Sequence, residues 1–258
     1  MQTLLIKIAT VIAYIAMVTV NFLANALPIN NRDTGTISDA YPNLFAPAGL
    51  TFSIWGLIYL LLAGYVIHFC LSQEKIPTSK KALHLKHVAI LFIATSLANI
   101  SWIFAWHYDI IGLSVFIMAI LLALLIRIAD ILRQEQLNTR EKICIVLPFS
   151  IYFGWITVAT IANITVFLVS VGWNGFGIAD FIWTSIILFI GALIGILRMH
   201  KDKNVAYGLV LIWAYLGILL KHLSPEGFDG QYPSIIASVI LCLLLFVFFT
   251  GKVFYRKQ

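Results

Sequence analysis

Aromatic and amide side chains recur at helical spacing in three apolar stretches of the sequence. Steps of three or four residues place them on one face of each helix. They are Trp55 and Tyr59; Asn99, Trp102 and Trp106; and Tyr152, Trp155, Ala159 and Asn163. Indole and phenol rings bind flat apolar molecules by stacking and dispersion, and an amide can orient a polar edge. The three faces therefore predict a binding site for a flat hydrophobic molecule.

The same pattern has a second interpretation. Aromatic and Asn residues at helical spacing also make helix–helix contacts in membrane proteins. An amide such as that of Asn163 needs a partner in either case, because lipid offers no hydrogen bond. The pattern alone is compatible with both interpretations, helix packing and a ligand pocket.

The elements that carry these faces are predicted to be transmembrane helices. Of the 258 residues, 61% are hydrophobic and 11% are charged, which excludes a soluble domain of this length. Eight apolar runs are long enough to cross a bilayer, at about residues 4–28, 48–71, 88–106, 110–133, 147–169, 180–197, 205–220 and 234–250. The predicted fold class is all-α, a polytopic membrane helix bundle.

Two of the segments between the apolar runs have a distinctive composition. Residues 29–47 are rich in Asn, Asp, Gly and Pro, which argues against helix, and residues 72–87 form a basic connection. The basic start and Ala24-Asn25-Ala26 of the first run resemble a cleaved signal, but its length favours a retained helix. The spacing of Gly191 and Gly195 permits close backbone approach, most often to a neighbouring helix of the same chain and less often to a second subunit.

The basic residues follow the predicted topology. With a cytoplasmic N-terminus, all 17 Lys and Arg residues except Arg32 and Lys221 fall on inside segments, among them Lys75, Arg256 and Lys257. Orientation therefore explains the net charge of +6, and we expect no nucleic acid as a partner. Both termini are predicted to be cytoplasmic.

Several classes of function are disfavoured because the sequence lacks the residues that they require. No Asp, Glu, Lys or Arg lies near the centre of any run, which disfavours proton or sodium coupling. Cys70, Cys144 and Cys242 lack the spacing of a metal or redox site. The sequence also lacks a nucleophile motif and metal-spaced histidines. We expect no catalytic residue, no metal and no required cofactor.

The order of these residues resembles the TspO/MBR family, the tryptophan-rich sensory proteins that are similar to the mitochondrial translocator protein. Pro47 followed by Trp55 and Tyr59 is similar to the family's second-helix signature. The triplet Asn99, Trp102 and Trp106 is similar to its third helix, and Tyr152, Trp155, Ala159 and Asn163 to its fifth. The resemblance covers about residues 4–173, and three further helices follow at 174–258.

The resemblance implies a five-helix core and a receptor or sensor in the bacterial cell membrane. It implies a hydrophobic small-molecule ligand, a tetrapyrrole (porphyrin or haem) or a sterol-like lipid, held inside the bundle beneath the first loop. The implied lining is Trp55, Tyr59, Asn99, Trp102, Trp106, Tyr152, Trp155, Ala159 and Asn163.

Three alternatives stay open at this stage. The protein could be a carrier without intramembrane charge coupling, or a membrane enzyme that modifies a tetrapyrrole. A homodimer is also compatible with the sequence. No family role is implied for residues 174–258.

Overall fold

The computed structural model describes residues 2–27, 29–72 and 79–255, and every regular element within these ranges is a helix. Three basic residues of the predicted topology, Lys75, Arg256 and Lys257, lie outside the described residues, as does Pro28 at the end of the first predicted run. The all-α fold class is confirmed.

Eight helices in the described ranges are long and apolar enough to cross a membrane, in agreement with the eight apolar runs. In chain order the helices are α1 (Gln2–Ala26), α2 (Thr34–Asp39), α3 (Ile54–Leu71), α4 (Lys80–His107), α5 (Ile111–Leu132), α6 (Thr139–Glu141), α7 (Leu147–Ser170), α8 (Asp180–Asp202), α9 (Val205–Leu223) and α10 (Pro233–Tyr255). A 3₁₀ turn, Gly49–Ser53, precedes α3, and a π-helical turn, Lys142–Val146, joins α6 to α7.

Two stretches predicted as connections are partly helical. Helix α4 begins at Lys80 rather than at residue 88, because the Ser79 side chain accepts a hydrogen bond from the Ala82 amide and caps the helix. An apolar run shows only which residues cross the hydrocarbon core of the bilayer, whereas the helix continues beyond that run. The first loop contains α2, in which the fully buried Ile37 compensates for the weak helix propensity of its Gly, Thr and Ser residues.

The chain divides into two compact units. Unit 1 consists of Met1–Thr34 and Trp55–Phe153, and unit 2 consists of Gly35–Ile54 and Gly154–Gln258. The boundary residues fall within α2, α7 and the start of α3. The predicted division into residues 1–173 and 174–258 stays a prediction, because a compact unit and a stretch of family resemblance are different properties.

In unit 1, α4 packs against α1 and α5. Three aromatic rings also join α3, α4 and the start of α7. The Tyr65 ring lies 4.8 Å from that of Phe149 and 5.3 Å from that of Phe92, and all three rings meet edge to face. Edge-to-face contacts of this kind contribute about 0.5–1.5 kcal/mol each beyond burial.

A lysine of α1 caps the last turn of α3. The Lys7 ammonium donates hydrogen bonds to the backbone oxygens of Cys70 and Ser72, at 2.9 and 2.8 Å. These carbonyls lie at a helix C-terminus, where the backbone lacks intrahelical donors and a positive charge is favourable. The contact therefore fixes α1 against the end of α3.

We expect Lys7→Met to lower the free energy of unfolding by about 1–2 kcal/mol, because it leaves two carbonyl oxygens without their charged donor. Unfolding in mixed detergent micelles measures the change. Lys80→Met is the matched control, since Lys80 is exposed and makes no ion pair or hydrogen bond with any described residue. Equal effects of the two substitutions would contradict a capping role.

In unit 2, α10 packs against α8 and α9. Side chains of α9 lie close to the two glycines of α8, so the neighbour at this spacing is a helix of the same chain. A Cβ atom at Gly195 would lie 2.4 Å from Leu211 Cδ1, and one at Gly191 would lie 2.8 Å from the Tyr215 hydroxyl. Tyr215 in turn donates a hydrogen bond of 2.8 Å to the Leu188 carbonyl, which ties α9 to α8.

Candidate functional site

In unit 1 the structure brings together three predicted site residues from α3 and α7. The Trp55 indole stacks on the Tyr59 ring at 5.6 Å and meets the Tyr152 ring edge to face at 5.9 Å. Tyr152 is fully buried, whereas Trp55 and Tyr59 are half-buried. The helical spacing that suggested a common face on α3 is therefore an actual ring stack.

A chain of hydrogen bonds connects Asn99 to this aromatic group. The Asn21 amide donates to Asn99 Oδ1 at 2.6 Å, and the Asn99 amide donates to the Tyr152 hydroxyl oxygen at 3.3 Å. All three side chains are buried. The chain runs from α1 through α4 to α7 and gives the buried amide of Asn99 the partners that lipid cannot offer. Asn21 was not among the predicted site residues, although, like Asn99, it lies within an apolar run.

The hydroxyl group of Tyr59 stands apart from the other polar atoms of this group. It is buried and makes no hydrogen bond with any described residue. The backbone oxygen of Tyr59, by contrast, accepts a hydrogen bond of 3.0 Å from the Tyr14 hydroxyl. A buried hydroxyl without a partner costs about 1–3 kcal/mol, so its position beside Trp55 calls for an explanation.

Trp102 and Trp106 form a second aromatic pair in unit 1. Their rings stack at 5.5 Å, both are buried, and the Trp106 indole donates a hydrogen bond of 3.2 Å to the Thr34 carbonyl. The start of the first loop is held on the same end of α4, where the Asn30 amide donates to the His107 carbonyl at 3.0 Å and Arg32 pairs with Asp109. The pair thus lies beneath an anchored loop segment.

The remaining predicted residues, Trp155, Ala159 and Asn163, belong to unit 2. The Trp155 ring is buried and meets the Phe52 ring edge to face at 5.8 Å, and Asn163 is also buried. Ala159 is partly exposed. Their assignment to a ligand site stays a prediction.

Unit 2 contains a cavity of about 660 Å³ that sequence analysis missed. Its walls include Trp173, Phe181, Trp183, Phe228 and Tyr232, and none of the described residues lining it belongs to the predicted site. These aromatic residues stand at helix ends and in the connections between helices. Such residues usually mark the membrane interface, so their positions alone did not indicate a cavity.

Within the described residues, no group of three or more His, Cys, Asp or Glu side chains lies close enough to hold an ion. The site residues of unit 1 are phenols, indoles and amides, which are neutral and bind through ring contacts and hydrogen bonds.

Comparison with protein families gives one match over nearly the whole chain. The family model described as TSPO-like protein matches residues 7–251. The match continues beyond Trp173, where the resemblance seen in the sequence ended, and includes α8, α9 and nearly all of α10. Comparison with curated proteins gave no match, and neither did comparison with solved structures.

Proposed function

Because this chain belongs to the TSPO-like protein family, we propose that it is a membrane receptor for a flat hydrophobic molecule with a polar edge, a tetrapyrrole or a sterol-like lipid. The proposed site in unit 1 is centred on Trp55, Tyr59 and Tyr152. Asn99 supports it through Tyr152, and the Trp102–Trp106 pair forms a second aromatic surface. A receptor needs only to bind, which matches the neutral side chains of this site.

The observation that carries the proposal is the Tyr59 hydroxyl. It is buried and has no hydrogen-bond partner in the part of the chain that the structure describes, while the neighbouring Tyr152 hydroxyl accepts a hydrogen bond from Asn99. A carboxylate or carbonyl on the edge of a ligand would accept a hydrogen bond from Tyr59. Binding would then give the Tyr59 hydroxyl an acceptor, a gain of about 1 kcal/mol.

The half-buried rings of Trp55 and Tyr59 support the apolar part of the proposal. Stacked rings that are only partly covered by protein offer an aromatic face to a flat molecule. Preformed aromatic surfaces also lower the cost of ordering side chains on binding. Recognition would therefore combine stacking on Trp55 with one hydrogen bond to Tyr59.

The test is a tryptophan-fluorescence titration of the detergent-purified protein with protoporphyrin, haem and a sterol. We expect Tyr59→Phe to weaken binding about fivefold, because the ligand loses one hydrogen bond of about 1 kcal/mol. The same substitution should leave the free ligand-less protein equally stable or more stable by up to about 1 kcal/mol, because it removes an unpartnered hydroxyl.

Tyr65→Phe is the matched control. Tyr65 lies on the same helix, and its buried hydroxyl also lacks a partner among the described residues, but its ring packs against Phe92 and Phe149. It should therefore affect stability in the same direction without weakening binding. Equal affinities for the Tyr59→Phe and Tyr65→Phe variants would refute the assigned role of Tyr59. No saturable binding to the folded parent protein would refute the receptor proposal for these ligands.

A further inference from the structure

The cavity in unit 2 is also lined by aromatic residues, and its chemistry differs from that of the proposed site in unit 1. It is lined by the first-loop residues 42–44, the C-terminal part of α7, the start of α8 and the connection between α9 and α10. Its volume of about 660 Å³ falls within the range of small-molecule sites.

Two pairs of aromatic rings line the cavity. The Trp173 ring lies 5.2 Å from the Trp183 ring at an interplanar angle of 56°. The Phe228 and Tyr232 rings meet edge to face at 5.5 Å. Electron-rich ring faces attract a cation within about 6 Å, and tryptophan does so most strongly.

Polar contacts behind the rings hold both walls in place. The Trp183 indole donates a hydrogen bond of 2.8 Å to the Gly175 carbonyl, and a Cβ atom at Gly175 would lie only 3.0 Å from Trp183 Cδ1. The buried His222 ring lies 4.7 Å from Phe228, and its Nε2 donates to the Leu44 carbonyl at 2.9 Å. The cavity is thus preformed, which lowers the cost of binding.

The charge of the cavity is negative. Asp180 is the one charged residue among the described residues that line it, and its carboxylate forms no ion pair with any described residue. Asp180 lies in the first turn of α8, where the helix dipole contributes roughly half a positive charge. The full negative charge of the carboxylate exceeds that contribution, so the cavity favours a cation.

We propose that this cavity binds an organic cation with apolar substituents, a hydrophobic amine or a quaternary ammonium group. The apolar substituents would contact the rings, the cationic centre would face Trp173 and Trp183, and Asp180 would balance its charge. This proposal does not rest on the proposed receptor function. The two sites also differ in preference, because a porphyrin carboxylate would be repelled by Asp180.

The test is a calorimetric titration of the full chain, in a nonionic detergent, with benzyltrimethylammonium. We expect saturable binding that is weakened about fivefold by Asp180→Asn and about tenfold by Trp173→Leu. Glu226→Gln is the matched control. Glu226 lies in the connection between α9 and α10 but does not line the cavity, so removal of its carboxylate should leave the affinity unchanged.

Competition between a charged and an uncharged ligand tests whether the cavity recognises the positive charge. Choline should displace the probe at least about tenfold better than its uncharged isostere dimethylbutanol. Stronger displacement by dihexanoylphosphatidylcholine than by choline would identify the cation as a lipid headgroup, and weaker displacement would identify it as a soluble amine. Equal displacement by choline and the isostere would overturn the proposal, as would equal effects of Asp180→Asn and Glu226→Gln, or no saturable binding to the folded parent protein. Porphyrin binding in unit 1 is measured separately and can fail or succeed independently.

Discussion

Trp55→Ala is expected to weaken protoporphyrin binding about 30-fold while the protein remains folded in the membrane. The indole offers the largest half-buried ring of the proposed site and stacks on Tyr59 at 5.6 Å. Removing it deletes ring–ligand stacking and dispersion of about 2 kcal/mol, which corresponds to the 30-fold change. Porphyrin absorbance is the appropriate measurement, because it does not depend on the tryptophan that is removed.

Trp55→Phe and Phe69→Leu complete this experiment. Phenylalanine keeps an aromatic face, so Trp55→Phe should lose less affinity than Trp55→Ala. Phe69 lies on the same helix and stacks on Tyr65 at 6.1 Å, so Phe69→Leu should leave binding unchanged. Loss of folded protein in both Trp55 variants, with binding retained by whatever folds, would instead favour helix packing as the role of the stack.

Gly217→Ala is expected to destabilise unit 2 by about 3 kcal/mol. A Cβ atom at this position of α9 would lie 2.0 Å from Thr51 Oγ1 and 2.7 Å from Thr51 Cγ2. Neither residue can move away easily. The Ala48 amide donates to the Gly217 carbonyl at 2.9 Å, and the Trp213 indole donates to the Thr51 carbonyl at 3.0 Å. The 3₁₀ turn is therefore fixed on α9 from both sides.

The second substitution Thr51→Ala should restore part of this loss, since it removes the two closest atoms and leaves only Cβ, at 2.8 Å. A double-mutant cycle in mixed-micelle unfolding measures the coupling between the two positions. Gly251→Ala is the control within the same unit, because nothing lies within 4 Å of a Cβ atom there. If Gly217→Ala were as harmless as Gly251→Ala, the close approach of Thr51 to α9 would be wrong.

The family match includes nearly all of the last three helices, to which the resemblance had assigned no role. The resemblance seen in the sequence stopped near Trp173, yet the TSPO-like family model extends to residue 251. Helices α8, α9 and most of α10 therefore belong to the matched region. The start of α8 and the connection between α9 and α10 also supply part of the lining of the cavity in unit 2.

The eight membrane helices could be predicted from the sequence because each depends on local properties. A run of apolar residues long enough for the bilayer must be helical, since only a helix satisfies its own backbone in lipid. The residue faces on α3, α4 and α7 followed from the helical repeat alone. Helix ends were less accurate, as at Lys80, because a cap such as Ser79 can extend a helix beyond the apolar run.

Only the tertiary structure decided which side chains meet. The sequence placed Asn99 and Tyr152 on separate helices, and the fold joined them through a hydrogen bond and linked Asn99 to Asn21. It also left the Tyr59 hydroxyl without a partner among the residues that the structure describes, which no spacing rule could indicate.

The cavity in unit 2 shows most clearly what could not be predicted from the sequence. Trp173, Trp183 and Tyr232 belong to different connections and helix ends, and each alone is typical of a membrane interface. Apolar length and helical periodicity describe single segments, whereas a cavity depends on the distances between segments. The sequence therefore determined the helices and their faces, while the packing of those helices determined the two aromatic sites.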